Sequence, residues 1–293
     1  MLKMSLRKVL GAIRQADQDF GLIDDHDKIA VGISGGKDSI VLLYALSLYQ
    51  KFCPHPFEIV GIHISLGFPD MDFSATKAFC QQHQIEFVEC PSDVYEILKL
   101  NLRKNGMLEC SICSRMKKAL VIKAAKELHC NKVAFAHHVD DAIETLFLNM
   151  IYGGRIATFD PIMQLTKSDI TFIRPLIYAR EKDILRAQKK ENLPVVISTC
   201  PNDKHTQRED IKQLLQQIYH TYPSAYDNFK YMLSNTSKMK VFHKNPKLNH
   251  ALMEYYKLFD QPFPIYLFSM DEQALLSLVE ECIEKQMPFS SKS

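Results

Sequence analysis

The sequence predicts a doubly wound α/β fold, a parallel sheet flanked by helices, with a helical C-terminal extension. Short apolar runs alternate with helical segments from residue 28 to about residue 197. A glycine pair, Gly35-Gly36, sits where the first of those runs turns into a helix. The strand signal then stops near residue 220. Such alternation calls for parallel strands joined by right-handed crossovers, and ligands of such folds collect at the carboxyl ends of the strands.

Leu6, Val9, Leu10 and Ile13 keep helical spacing, so the first twenty residues are read as an amphipathic helix. Strands are expected over 28–33, 57–64, 85–89, 132–136, 170–173 and 195–197. Helices are expected over 40–48, 73–83, 94–102, 114–129 and 140–152, the last ended by Gly153-Gly154, with another starting near Arg180. Residues 1–220 thus form a nucleotide-binding and catalytic domain, and 221–293 a mostly helical extension.

The 293 residues are 46% hydrophobic and 24% charged, as in an ordinary globular protein, and the formal charge of +2 singles out no class of partner. No apolar run approaches the roughly 20 residues a membrane span needs. Charges interrupt the first twenty residues every few positions, unlike a signal peptide. A cytoplasmic protein is expected. Eight cysteines are too few for a disulfide scaffold in a chain of 293 residues, and in a reducing compartment they are thiols, metal ligands or catalytic groups.

Gly32-Ile33-Ser34-Gly35-Gly36-Lys37-Asp38-Ser39 occupies the strand-to-helix turn. Glycines there admit close backbone approach, and the N–H groups at the helix start favour an anion. Lys37 adds a cation, and the Ser34 and Ser39 hydroxyls can donate to phosphate oxygens. Asp38 beside a phosphate calls for a divalent cation between them, and magnesium suits that donor set. A Walker A loop is excluded, because Val31 stands where its first glycine is required and Asp38 follows the lysine.

Cys110 and Cys113, in Glu109-Cys-Ser-Ile-Cys-Ser-Arg115, lie at the entrance to a basic helix. The helix dipole and Arg115, Lys117 and Lys118 are expected to lower their pKa. Thiolates at this spacing suit zinc, an iron–sulfur cluster or a redox pair. Two cysteines do not close a tetrahedral site, and Cys200, after the last expected strand, is the best third ligand. His137-His138-Val139-Asp140-Asp141 follows a strand and opens a helix; Asp140 or Asp141 either caps that helix or meets nucleotide and magnesium.

The string Ser-Gly-Gly-x-Asp-Ser resembles the signature of the PP-loop ATP pyrophosphatases, which transfer AMP to a substrate oxygen and release pyrophosphate. Five further segments make the resemblance narrower: Cys110 to Arg115, Ala136 to Asp141, Phe147 to Gly154, Arg174 to Asp183, and Cys200 with Arg208 eight residues on. Together they are similar to the tRNA 2-thiocytidine synthetases over about residues 20–240. That resemblance implies ATP and Mg2+, with contacts from Ser34, Gly35, Gly36, Lys37, Asp38, Ser39, His63, His137 and Asp141. It implies a [4Fe–4S] cluster on Cys110, Cys113 and Cys200, leaving one iron open. Adenylation of a pyrimidine C2 oxygen, that of cytidine 32 in a tRNA anticodon loop, would make AMP the leaving group for incoming sulfur. The sulfur carrier is either the open iron or a cysteine persulfide.

Lys104, Arg115, Lys117, Lys118, Arg174 and Arg180 are the expected tRNA contacts, and Lys37 and Asp38 act with the three cysteines in catalysis. The expected partners are tRNA and a sulfur donor such as a cysteine desulfurase, with a homodimer left open. Two departures from the family pattern stand out, at His63-Ile64-Ser65 and after Cys200, and residues 244–293 match no part of it. A 2-thiouridine synthetase and a lysidine-type ligase share the loop, but amine attack requires no thiolates. A non-catalytic iron–sulfur RNA sensor would not require Lys37 and Asp38.

Overall fold

The computed structural model describes residues 4–102, 108–165, 168–201, 207–235, 245–265 and 271–289. The chain divides into two compact units, Met1–Gln217 and Ile218–Ser293.

The first unit is built on a six-stranded sheet. Its strands are β1 (Asp27–Ile33), β2 (Phe57–Ser65), β3 (Glu86–Pro91), β4 (Lys132–Ala134), β5 (Ile162–Leu165) and β6 (Ile170–Ile173), in the order β3-β2-β1-β4-β6-β5. All neighbours run parallel except β5 and β6, which form an antiparallel hairpin. β1 is central and covered on both faces: Ile29, Ala30 and Val31 are fully buried, which is why it reads as a continuous apolar run.

On one face lies α5 (Cys110–Glu127), whose Val121, Ala124 and Ala125 pack with Ala30, Val60, Ile62, Ile64 and Val133. The opposite face of β2 meets α2 (Lys37–Tyr49), where Gly61 faces Leu43. α2 packs with α1 (Met4–Phe20) and α7 (Glu181–Glu191). Asp17 ties the first two together by accepting from Tyr49 Oη at 2.8 Å and from the Ile23 amide at 2.9 Å. At the amino end of the strands, buried Lys132 is neutralised by Asp24 and Asp27, each at 2.7 Å, and donates to the Leu22 carbonyl at 2.9 Å.

The remaining helices of this unit are α3 (Ser74–Gln82), α4 (Val94–Leu100), α6 (Val139–Gly153) and most of α8 (Gln207–Thr221). The second unit contains α9 (Ala225–Ser234), α10 (Pro246–Phe259) and α11 (Glu272–Glu284). α10 and α11 share a core of Leu248, Ala251, Tyr255, Phe263, Leu275, Leu276 and Val279. Their starts are capped by Asn245 and Asp271.

Two elements differ from the sequence reading. Residues 195–197 are not a strand, because the place beside β6 is taken by β5; Val195 and Ile197 are 45% and 84% exposed. β5 has only four residues and a mixed burial pattern, too short to show a period. Its hairpin makes the sheet mostly, not wholly, parallel. Among the described residues no helix is long and apolar enough to cross a membrane.

Candidate active site

The topology alone places a crevice. After β1 the chain winds outward through β2 and β3, then returns to lay β4 against the other side of β1. The carboxyl ends of β1 and β4 therefore open onto a switch point, where ligands of doubly wound sheets bind. β1 delivers Ser34 to Lys37 there, and β4 delivers His137 to Asp141.

The loop is pre-folded. Ser39 Oγ donates to the Gly36 carbonyl at 2.9 Å and accepts from the Ser34 amide at 3.2 Å. Gly35 has φ +89°, a region an L side chain rarely enters, and its carbonyl accepts the Val196 amide at 2.9 Å. Gly36 caps α2 without any side-chain hydrogen bond, so the first-turn amides of α2 face the crevice with the dipole behind them. His63 stacks on Phe73 at 3.6 Å, and its Nδ1 lies 3.0 Å from the Ile33 carbonyl. A carbonyl only accepts, so the proton is assigned to Nδ1 and Nε2 is an acceptor. Burial lowers the His63 pKa and keeps the ring neutral.

Lys37 Nζ reaches Asp38 Oδ2 at 3.1 Å and Glu181 Oε1 at 2.9 Å. Burial alone would lower its pKa, but the charges of Asp38 and Glu181 raise it. Glu181 also holds Lys212 of α8, at 2.9 Å. Burial opposes ionisation of this carboxylate, yet its hydrogen bonds to Lys212 and Lys37 bring its pKa down to about 2. Asp38 Oδ1 is buried with no hydrogen-bond partner, 3.8 Å from His138 Nε2. A buried carboxylate oxygen without a donor, one residue from a phosphate cradle, is the vacancy a hard divalent cation fits.

The helix after β4 is closed by a reciprocal cap: Asp141 Oδ2 accepts the His138 amide at 2.9 Å, and His138 Nδ1 accepts the Asp141 amide at 3.3 Å. Asp141 is thus a cap in this structure. Asp140 instead accepts the Glu181 amide at 2.8 Å, fixing the start of α7 against α6. His137 leans on Phe159 at 5.1 Å, and its buried Nδ1 makes no hydrogen bond. Burial lowers its pKa against the pull of Asp141.

Cys110 and Cys113 occupy the first turn of α5, which starts at Cys110 rather than at Ser114, with Glu109 as its cap. Three residues apart, they share one face of the helix. Both Cys110 and Cys200 act electrostatically on the Cys113 thiol, so the structure brings the three sulfurs into one neighbourhood. The segment bearing Cys200 is moored by Val196 to Gly35 and by Thr199 Oγ1, which donates to the Pro69 carbonyl at 2.7 Å. Contrary to the expected depression, burial raises the Cys113 pKa, and Lys117 only partly offsets it. Among the described residues no three His, Cys, Asp or Glu converge on a single-ion site.

The expected tRNA contacts separate into three groups. Arg115 and Lys118 are exposed on α5, and Arg180 is half-buried at the start of α7. Arg174 is 5% exposed, lies over the Phe159 ring at 4.8 Å and donates to the Asp160 carbonyl, while its buried Nε makes no hydrogen bond. Lys117 is drawn inward: burial lowers its pKa, and it faces Cys113 and His63. Lys104 lies outside the described residues.

Three charged residues at the crevice were not singled out from sequence: Glu181, Glu144 and Lys212. Arg208, noted only for its spacing from Cys200, meets Glu144 Oε2 and Thr145 Oγ1, each at 3.1 Å. Arg208 and Lys212 are one turn apart on α8, a pattern indistinguishable in sequence from an ordinary solvated face.

The chain matches the PP-loop domain family over residues 5–218. It is 35% identical over 238 residues to the tRNA-cytidine(32) 2-sulfurtransferase of Idiomarina loihiensis, covering 80% of this chain and 79% of that one. With the protein of the same description from Geobacter sulfurreducens it shares 34% identity over 221 residues, covering 75% and 86%. Among solved structures, the U34-tRNA thiolase of Methanococcus maripaludis, determined with its [4Fe-4S] cluster, aligns with a TM-score of 0.62 at 21% identity, covering 81% of each chain. That likeness concerns the fold.

Proposed function

Because this chain belongs to the PP-loop family of tRNA-cytidine(32) 2-sulfurtransferases, we propose that it is an ATP-dependent enzyme that replaces the C2 oxygen of cytidine 32 in a tRNA anticodon loop with sulfur. The observation that carries the reading is the meeting, at one sheet edge, of a phosphate cradle on β1–α2 with three thiols from α5 and the Cys200 segment. A hydrogen bond from Val196 to Gly35 links the two.

The α2 amides and Lys37 hold the phosphates, and Asp38 Oδ1 would hold Mg2+, which when bound would supply positive charge to the phosphates. His63 and His137, both held neutral by burial, face the nucleotide as hydrogen-bonding rather than charged groups. The C2 oxygen attacks the α-phosphorus and pyrophosphate leaves. Sulfur at the sulfide level (HS⁻) then adds to C2, and AMP departs with the original oxygen and its electron pair to leave C2=S, so a poor leaving group has become a good one. Cys110, Cys113 and Cys200 would hold a [4Fe–4S] cluster, which when bound supplies an iron position open to sulfur. Lys117 sits beside Cys113 and favours its thiolate against burial. Arg115, Lys118, Arg180 and Lys104 approach the tRNA backbone, and sulfur comes from a donor such as a cysteine desulfurase. A tRNA substrate supports the reading of a cytoplasmic enzyme.

Anaerobic purification followed by absorption spectroscopy and iron and sulfide assays tests the cluster; stoichiometric zinc, or no metal, would overturn it. Cys200→Ala should abolish thiolation and leave ATP binding intact, and Asp38→Ala should abolish adenylation. Mass spectrometry of tRNA nucleosides from cells lacking the gene should show loss of 2-thiocytidine. A normal 2-thiocytidine content would refute the substrate.

A further inference from the structure

The two lysines nearest the loop share one anion. Glu181 Oε1 lies 2.9 Å from Lys37 Nζ and 3.0 Å from Lys212 Nζ, and Oε2 lies 2.9 Å from Lys212. The three residues come from α2, α7 and α8. One carboxylate that contacts both ammonium groups offsets their mutual repulsion. The anion is positioned deliberately: Glu181 is the first residue of α7, and Asp140 holds its amide. All three side chains keep a quarter to a third of their surface open, so the bridge sits at the crevice and not in the core. A carboxylate bidentate between two lysines at about 3 Å occupies the place of a phosphate oxygen pair.

We infer that Lys212 is a second phosphate-binding lysine of the nucleotide site, and that Glu181 is a placeholder which holds Lys37 and Lys212 in position until a pyrophosphate group takes its place between them. The inference rests on the ATP reading above. Lys212 shares its anion with the loop lysine, so it belongs to the end of the nucleotide that the loop cradles, the pyrophosphate. It would grip ATP and the leaving pyrophosphate and be indifferent to AMP. Glu181 is then a positioning residue, released as the phosphates arrive.

The test measures binding of Mg2+–ATP, Mg2+–pyrophosphate and AMP to the full chain by calorimetry. Lys212→Met should weaken ATP and pyrophosphate by about tenfold or more, the worth of a charge-assisted hydrogen bond, and leave AMP unchanged. Lys212→Arg should restore most of that loss, and Glu181→Gln, which has no charge to displace, should bind pyrophosphate more tightly than wild type. Wild-type pyrophosphate affinity in Lys212→Met, an equal loss for all three ligands, or weaker pyrophosphate binding by Glu181→Gln would each overturn the assignment. The last arm decides the matter even where Lys212→Met fails to fold. Tight wild-type ATP binding left unaltered in Lys212→Met removes this inference alone; a wild-type chain that binds neither ATP nor pyrophosphate removes the nucleotide reading with it.

Discussion

Replacing Gly35 by alanine separates backbone strain from crowding at the phosphate loop. A Cβ there would stand 3.0 Å from Val196 Cβ and 3.1 Å from Phe73 Cζ, on a residue with φ +89°. The positive φ costs about 1–2 kcal/mol for any L side chain. The crowding adds about 1–3 kcal/mol, because neither Val196, moored through its amide to Gly35, nor Phe73, stacked on His63, moves aside without losing a contact. Gly21 is the control: its φ is +58°, and its Cβ would meet nothing within 4 Å. Gly21→Ala should therefore cost about 1 kcal/mol and Gly35→Ala about 3 kcal/mol. In a unit of the size of Met1–Gln217 these become falls in Tm of about 2–4 °C and 6–12 °C respectively. Differential scanning calorimetry reads the difference, and ATP titration reads its local consequence, a weakened cradle in Gly35→Ala only. Equal melting of the two variants, with ATP bound as by wild type, would show that the loop yields freely and that the contacts to Val196 and Phe73 carry no constraint.

Lys132→Met should destabilise the first unit by about 3–5 kcal/mol in chemical denaturation, since it leaves Asp27, 3% exposed at its side chain, buried without its cation; a loss below about 1 kcal/mol would mean water reaches that carboxylate. The Glu181 carboxyl titrates near 4.3 in an unfolded chain and at about 2 here. Its contribution is thus complete above about pH 4.3 and is lost as the pH falls toward 2, by at most about 3 kcal/mol. Glu181→Gln should flatten that acid limb in a stability-versus-pH series, and an unchanged limb would deny the double lysine contact.

Much of the site was legible because its chemistry is concentrated in short strings. Ser34 to Ser39 needed only the strand–glycine–helix order, and Cys110 with Cys113 needed only their spacing. What could not be read were groups whose role depends on long-range pairing. Glu181 stands 144 residues from Lys37 and 31 from Lys212; nothing local distinguishes it from any acid at a helix start. Arg174 shows the converse case. In sequence it is an arginine beside a proline, available to phosphate, and only the fold reveals Phe159 and the Asp160 carbonyl around it. Residues 195–197 have β-branched side chains and strand propensity, but the place beside β6 is taken by β5. Cys113 carries the same lesson in electrostatics: three nearby cations suggested a depressed pKa, and burial, invisible in sequence, outweighs them.

The charge balance of the crevice explains why these parts act together. Lys37, Lys212 and Arg208 face Asp38, Asp140, Asp141, Glu144 and Glu181, and Arg174 and Lys118 act with Arg208 on His137. Several carboxylates are already engaged in holding structure: Asp141 closes the α6 cap, Asp140 anchors α7, and Glu144 takes Arg208. Asp38 Oδ1 is the acceptor left without a donor. A divalent ion there would let that carboxylate and the phosphates lie side by side, while release of Glu181 would return two ammonium groups to the nucleotide. Val196, four residues before Cys200, donates its amide to the Gly35 carbonyl, so the proposed phosphate cradle and the segment that carries the third proposed cluster thiol are tied through backbone.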